Sequence, residues 1–181
     1  MKRDVHVTRL HEGLPSRFAL IPRYGQPEDI RWFEADPTFV LHFINAYEDG
    51  DEVILDGYFE EDPYPPPLEN ADGYGHMMAY VDEHSFKPKL HRWRFNLKDG
   101  TTREERLDDR ILEFGMMNQR YLGLPYRYAY STTSKPGWFL FTGFVKHDLT
   151  TGESWEVKLY NKKDKKGKIS RYFIYNSDHD F

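Results

Sequence analysis

Cysteine is absent from the 181-residue sequence, so the chain can form neither a disulfide framework nor a thiolate metal site. Long apolar runs are also absent, because no stretch approaches the roughly 20 residues that a membrane-spanning helix requires. Residues 1–9 are polar and charged, which leaves no visible secretory signal. These absences predict a protein without a transmembrane segment, and we expect it in the cytoplasm.

An excess of positive charge is missing as well. The net charge is -5 and the isoelectric point is near 5.9, whereas a nucleic-acid partner would favour a basic face. Two local basic runs, residues 87–94 and 162–168, are interpreted as a solvated strand face and a solvated turn. With 39% hydrophobic and 30% charged residues, the chain fits one compact globular domain, and we predict no nucleic-acid partner.

Aromatic residues, by contrast, are abundant. They make up 17% of the chain, and aromatic side chains favour strands and sheet cores. Short β-branched or aromatic runs predict strands at 17–22, 39–45, 52–59, 76–81, 91–97, 101–107, 127–131, 138–146, 154–160 and 170–175. Helical periodicity is weak, and in the one arguable helix, residues 104–114, the Asp108-Asp109 pair opposes it. The sequence therefore predicts an all-β fold.

Turn dipeptides that end in glycine recur at a regular interval. Gly50, Gly100 and Gly152 stand 50 and then 52 residues apart, and the last two follow similar Asn-Leu and Asp-Leu pairs. A repeat of about 50 residues made of short strands is typical of a propeller blade, with the three turns at equivalent positions; chance recurrence is the alternative. At about four strands per blade the chain fills two to three blades of a ring that usually has four to eight. Further sequence or a partner chain is therefore expected to complete the ring.

The segment 39–48 contains the histidine of most chemical interest. As a strand, it would place Phe39, Leu41 and Phe43 on one face and His42 with Ile44 on the other. Both faces are apolar, which predicts that His42 is buried. A buried imidazole must satisfy its ring nitrogens by hydrogen bonds or by a metal, and the residues alone leave both interpretations open.

The other histidines give weaker signals. His91 and His147 lie on runs that look amphipathic and exposed, and the remaining five lie near chain ends or in loops: His6, His11, His76, His84 and His179. No two histidines stand at a local metal-ligand spacing. The sequence also contains no G-x-S-x-G elbow, no P-loop and no dinucleotide fingerprint.

Four ordered blocks carry a family pattern. The first joins PSRFALIPR (15–23), IRWFE (30–34) and the pattern His-x-x-Asn-Ala-Tyr-Glu, here residues 42–48. The others are LHRWRF (90–95), LDDRILEF (107–114), and YRYAY (126–130) with KHDL (146–149). Together they resemble the middle of the carotenoid oxygenase family, the carotenoid, apocarotenoid and lignostilbene cleavage dioxygenases. The match covers about residues 14–156 and residues 161–181 diverge, so the chain is interpreted as one partial domain, 1–181.

The resemblance implies a seven-bladed β-propeller, of which this chain would supply two to three blades, and iron(II), Fe(2+), held by four histidines on the propeller axis. It implies that His42 is the third iron ligand and that Glu113 accepts the ring N–H of an iron-bound histidine. The alternative for Glu113 is an exposed strand acid beside Arg110. The implied partners are dioxygen and an apolar polyene or stilbene substrate, whose carbon–carbon double bond is split into two carbonyl products.

Departures from the family pattern limit what the isolated chain is expected to do. The first two iron histidines should lie upstream of Arg17, where only His6 and His11 exist, and the fourth should lie beyond Phe181. Gly115 stands where many relatives have proline. We therefore expect a truncated, split or frame-shifted portion that is inactive alone and lacks a propeller segment or partner chain. Two other interpretations stay open: a non-catalytic propeller portion that assists folding or assembly of another chain, and a carbohydrate-binding module suggested by the aromatic content.

Overall fold

The computed structural model of the chain describes residues 13–60, 87–135, 138–163 and 169–176, without the side chains of 134–140 and 159–176. This part contains eleven strands and two short 3₁₀ turns, Pro27–Asp29 and Gln119–Tyr121. The strands are β1 (Ser16–Leu20), β2 (Arg31–Ala35), β3 (Phe43–Asp49), β4 (Glu52–Phe59), β5 (Lys89–Asn96), β6 (Thr102–Arg106), β7 (Leu112–Met117), β8 (Tyr128–Lys135), β9 (Trp138–Asp148), β10 (Ser154–Lys163) and β11 (Ile169–Asn176). The all-β prediction is confirmed.

The strands form three antiparallel sheets. β1 pairs with β2, β3 to β6 form a four-stranded sheet, and β7 to β11 form a five-stranded sheet. In both larger sheets, strands that are consecutive in sequence are also neighbours in space. Each of these meanders has the size of a propeller blade. Two such sheets and a two-stranded one agree with the predicted two to three blades.

Most predicted strands begin within two residues of the expected position, and the one at 76–81 lies outside the described residues. The strand expected at 39–45 is displaced, because Phe39 makes only an isolated bridge to Glu60 and regular pairing begins at Phe43. The sequence pattern does not reveal β2 or β7. β2 is only five residues long, and β7 contains a bulge between Glu113 and Met116 that interrupts its alternation.

Two of the three glycine turns occupy equivalent positions. Gly100 and Gly152 each lie in the hairpin between the third and fourth strands of a larger sheet, and both have a φ of +77°. In each, the glycine amide donates to the carbonyl oxygen four residues earlier, of Asn96 at 3.0 Å and of Asp148 at 2.8 Å. Gly50 instead connects the first and second strands of its sheet, so the prediction of three equivalent turns is wrong for that one.

Two apolar clusters hold the three sheets together. The first lies between the two larger sheets and consists of Ile44, Tyr58, Leu90, Leu112, Ala129 and Val145. The second joins the two-stranded sheet to the four-stranded sheet and consists of Phe33, Ala35, Trp93 and Phe95. Burial of these side chains is the main favourable contribution to folding. The first cluster also fixes the position of the segment that enters β3.

A buried ion pair joins the adjacent strands β4 and β5 of the four-stranded sheet. The Arg92 guanidinium donates to both carboxylate oxygens of Asp56, at 2.7 and 2.9 Å, and the Tyr126 hydroxyl donates to the same carboxylate at 2.7 Å. Asp56 has no exposed surface. A bidentate pair with a further donor compensates the cost of burying the charge, so removal of a single partner is costly.

His91 and His147 are buried, at 7% and 4% exposure, so the prediction that they are exposed is wrong. One nitrogen of each ring meets a carboxylate: Nε2 of His91 lies 3.0 Å from Glu104, and Nε2 of His147 lies 2.8 Å from Asp108. The buried Nδ1 of each ring has no hydrogen-bond partner among the described residues. Burial acts to raise the pKa of Asp108, but hydrogen bonds from His147 and Arg110 outweigh it and hold that pKa well below its ordinary value. Alternation of polar and apolar residues cannot distinguish a paired buried histidine from an exposed one.

Candidate functional site

His42 and Glu113 come from different sheets and meet. His42 lies directly before β3 of the four-stranded sheet, whereas Glu113 lies on β7 of the five-stranded sheet. Nδ1 of His42 is 2.7 Å from Oε2 of Glu113, although the residues are 71 positions apart in the sequence. Glu113 is only 7% exposed, and Arg110 pairs with Asp108 instead. The alternative of an exposed strand acid beside Arg110 is therefore wrong.

The prediction that His42 is buried on a strand is also wrong, since it precedes β3 and its side chain is 39% exposed. The chain bends at Leu41, and pairing with β4 shifts register between Phe43 and Asn45. Gly57 allows this close entry, because a Cβ there would lie 2.8 Å from Phe43 Cδ1 and 3.2 Å from the His42 carbonyl oxygen. The bend presents one edge of the imidazole to Glu113 and leaves part of the ring accessible.

Glu113 is held as a hydrogen-bond acceptor. Its Oε2 accepts from the Phe114 amide at 2.5 Å as well as from His42. Burial raises the pKa of Glu113, and the hydrogen bonds from Phe114 and His42 oppose this rise only in part. A carboxylate acceptor at Nδ1 selects the Nδ1–H tautomer of the neutral ring. Nε2 then carries the lone pair that can bind a metal, and among the described residues it has no hydrogen bond.

Phe114 and Gly115 complete this site and were not singled out by the sequence pattern as contributors to it. The Phe114 ring lies against the His42 imidazole, with 4.6 Å between centroids, and its edge meets Phe141 at 5.1 Å. Gly115 packs against β3 so closely that a Cβ there would lie 2.3 Å from Ile44 Cγ1. The unusual glycine after Glu-Phe was the one available signal of this close packing.

Asn45, the asparagine of the His-x-x-Asn pattern, has a structural role. It is buried, and its side-chain amide donates to the carbonyl oxygens of Tyr121 and Leu124, at 3.2 and 3.0 Å. Its Oδ1 accepts from the Gly123 amide at 3.0 Å. These three bonds fix the loop before β8 to the strand that follows His42. The pattern therefore combines His42, which is partly exposed, with Asn45, which anchors the neighbouring loop.

The described residues contain no group of three or more metal-ligating side chains. His42 nevertheless fits the position of one ligand, because its second nitrogen is held by a carboxylate in the arrangement typical of metal-bound histidines. One oxygen of that carboxylate, Oε1 of Glu113, is buried and has no hydrogen-bond partner among the described residues. His6 and His11 lie outside the described residues.

Exposed apolar side chains lie beside His42. Phe114 packs on the imidazole and Phe141 packs on Phe114, and both expose at least 36% of their surface. Leu41, Phe43 and Met116, which are close in sequence to His42 or Phe114, are also exposed. Such a group of exposed apolar residues is suited to an apolar ligand or to further protein. A separate groove of about 690 Å³ lies beside the C-terminal half of β3, and neither His42 nor Glu113 lines it. No helix in the described ranges has the length and apolarity needed to cross a membrane.

Comparisons with known proteins show which family and which relatives the chain is similar to. The family described as retinal pigment epithelial membrane protein matches residues 1–170. The chain is 32% identical to a carotenoid cleavage oxygenase of Mycobacterium tuberculosis over 77% of its own length and 28% of that protein. It is 32% identical to an isoeugenol monooxygenase of Pseudomonas putida over 75% of its length and 27% of that protein. The chain thus spans about a quarter of these relatives.

The fold also matches a solved structure. The crystal structure of cobalt-substituted Synechocystis ACO aligns with a TM-score of 0.68 and 21% identity, over 93% of this chain and 37% of that one. At this identity the likeness concerns the fold, and it identifies the stacked sheets as part of a β-propeller.

Proposed function

Because the chain belongs to the carotenoid oxygenase family, we propose that it is part of a non-haem iron(II) dioxygenase that cleaves a carbon–carbon double bond to two carbonyl products. The observation that carries this proposal is the 2.7 Å contact between His42 and Glu113 across two sheets. A ring nitrogen fixed by a buried carboxylate presents the other nitrogen as a ligand, and imidazole suits iron.

In this proposal His42 would be one of several protein ligands, and Glu113 would orient it. Iron, when bound, would supply the chemistry that activates dioxygen. The residues of this chain would do three things: hold the Nδ1 proton of His42, keep its Nε2 free, and provide an apolar wall through Phe114 and Phe141. The exposed apolar surface beside the imidazole supports an apolar substrate, such as a polyene or a stilbene.

A single ligand holds iron weakly, so the isolated chain is expected to bind little iron and to be inactive. The remaining ligands would come from further propeller sequence or from a partner chain. This proposal keeps the cytoplasmic location expected from the sequence, which cell fractionation tests.

The test compares iron content and aldehyde formation in two preparations. One is the chain alone, and the other is the chain completed with the flanking segments that its relatives possess. The completed protein should bind iron and form aldehydes from a carotenoid or stilbene, whereas His42→Ala should lose both. His91→Asn is the matched control, because it removes a different histidine–carboxylate pair, that with Glu104, and should lower stability while retaining iron. A completed protein that folds without iron or products would instead support a non-catalytic role in assembly.

Stoichiometric iron on the isolated chain that persists in His42→Ala would show that His42 is not the ligand. Activity of the isolated chain would contradict the need for additional segments.

A further inference from the structure

Phe114 has a backbone conformation that strand residues rarely adopt. Its φ is +51°, and it is the one non-glycine residue with a positive φ among the described residues. This region is sterically unfavourable for a bulky L-residue and persists where the surrounding structure imposes it. The unusual conformation lies directly after Glu113, on the strand that faces His42.

The conformation belongs to a bulge that changes where two adjacent side chains point. Glu113 pairs with Thr132 and Met116 pairs with Tyr130, so β7 carries one extra residue at this point. In a regular strand, consecutive side chains point to opposite faces. Here Glu113 contacts the edge of the imidazole of His42 and Phe114 contacts its face.

Gly115 holds the bulge against β3. A Cβ at this position would lie 2.3 Å from Ile44 Cγ1 and 2.5 Å from the Tyr58 hydroxyl, so any side chain here would push β7 away. Ile44 is two residues after His42 on the same segment. The bulge is therefore packed on the segment whose ring it contacts.

We propose that Phe114 is a positioning residue that fixes the tautomer and ring orientation of His42. Its amide donates to Glu113 Oε2 at 2.5 Å and aims that oxygen at Nδ1. Its ring packs on the imidazole at 4.6 Å between centroids and opposes rotation of the ring away from Glu113. This inference rests on the proposed function, in which His42 is a metal ligand, but the positioning itself requires no metal.

The test reads the histidine tautomer directly, by ¹⁵N NMR of the full chain labelled at histidine, at a pH where the ring is neutral. His42→Gln identifies the His42 signals. The parent chain should hold His42 mainly as the Nδ1–H tautomer. Phe114→Gly keeps the amide, permits the positive φ and removes the ring; it should yield a mixture in which the Nε2–H form predominates. Phe114→Tyr keeps both ring and amide and should restore the parent tautomer.

Phe43→Leu is the matched control, because the Phe43 ring packs on Phe18 and Trp93 rather than on the imidazole. It should leave the tautomer of His42 unchanged. If Phe114→Gly fails to fold by circular dichroism, Phe114→Leu provides the same comparison, since it keeps apolar volume without an aromatic face.

An unchanged tautomer in the ring-deleted variant, or an equal change in Phe43→Leu, would overturn the inference. Loss of the Nδ1–H tautomer in Phe114→Tyr would overturn it as well. A completed protein that binds no iron while Phe114→Gly still changes the tautomer would refute the proposed function and leave the positioning role intact.

Discussion

Gly115→Ala tests how tightly the bulge beside His42 is packed. Glycine to alanine in a strand often stabilises by about 0.4–1 kcal/mol, because the unfolded chain loses entropy. Here the new Cβ would lie 2.3 Å from Ile44 Cγ1 and 2.5 Å from the Tyr58 hydroxyl, well inside the ordinary contact of about 3.5–4.0 Å. Overpacking of this kind costs about 1–3 kcal/mol. Displacement of Tyr58 also strains its buried 2.8 Å hydrogen bond to Ser131, which adds about 1 kcal/mol.

The steric cost exceeds the entropic gain, so Gly115→Ala should lower the free energy of unfolding by about 2–3 kcal/mol. In a chain of this size that corresponds to a melting temperature lower by about 4–12 °C. Urea unfolding followed by circular dichroism and thermal melts would both measure it. Gly13→Ala is the control, because no described residue lies within 4 Å of a Cβ at that position and no loss of stability is expected.

A double-mutant cycle identifies the contact responsible. Ile44→Ala removes the atom that the new Cβ meets, so the double variant should be more stable than the sum of the single changes predicts by about 1–2 kcal/mol. Additive effects would refute the packing argument, as would a Gly115→Ala variant at least as stable as the parent.

Three further outcomes follow from buried polar contacts. Arg92→Met should cost about 3–5 kcal/mol because it leaves the Asp56 carboxylate buried without its partner, and Asp56→Leu added to it should recover much of the loss in urea unfolding. In the folded chain the pKa of Asp108 lies below its unfolded value of about 3.9. The stabilisation by the ionised carboxylate is therefore complete above that pH and is lost as the pH falls through the folded pKa. Asp108→Asn should lower the free energy of unfolding by about 2 kcal/mol at neutral pH and by progressively less in acid. Asn45→Asp cannot donate to the loop carbonyls, so amide exchange around Gly123 should quicken by about tenfold or more.

Exposed groups nearby supply the controls for these outcomes. Lys98→Met breaks an ion pair whose side chains are 74% and 57% exposed, and it should change stability by less than about 1 kcal/mol. The Asp109 side chain is 90% exposed, so Asp109→Asn should change the free energy of unfolding little at neutral pH, in contrast to Asp108→Asn. A pH profile for Asp108→Asn parallel to that of the parent would contradict the role of its depressed pKa.

Sequence patterns predicted the turns and strands whose structure depends on residues close together in the sequence. The turns around Gly100 and Gly152 follow from short motifs in which the residue four positions earlier accepts the glycine amide, and both were recognisable as one motif. Strand positions with regular alternation were likewise found. The displaced start of β3 depends on a bend at Leu41 and on space provided by Gly57, which is distant in sequence, so period alone could not locate it.

The site itself was accessible only through the family resemblance. His42 and Glu113 are 71 residues apart, and no local pattern indicates that they meet. The contributions of Phe114 and Gly115 depend on a bulge, which a strict two-residue period treats as an interruption. The burial of His91 and His147 depends in the same way on carboxylates of neighbouring elements.

The contact between His42 and Glu113 joins two sheets, so the distance between Nδ1 and Oε2 reports the relative position of those sheets. His42 is carried by the four-stranded sheet and Glu113 by the five-stranded sheet, so a slide of one sheet over the other changes the distance from Nδ1 to Oε2 directly. A hydrogen bond weakens within a few tenths of an ångström beyond about 3.2 Å. Core substitutions far from the imidazole can therefore alter which of its ring nitrogens carries the proton, by changing the relative position of the two sheets.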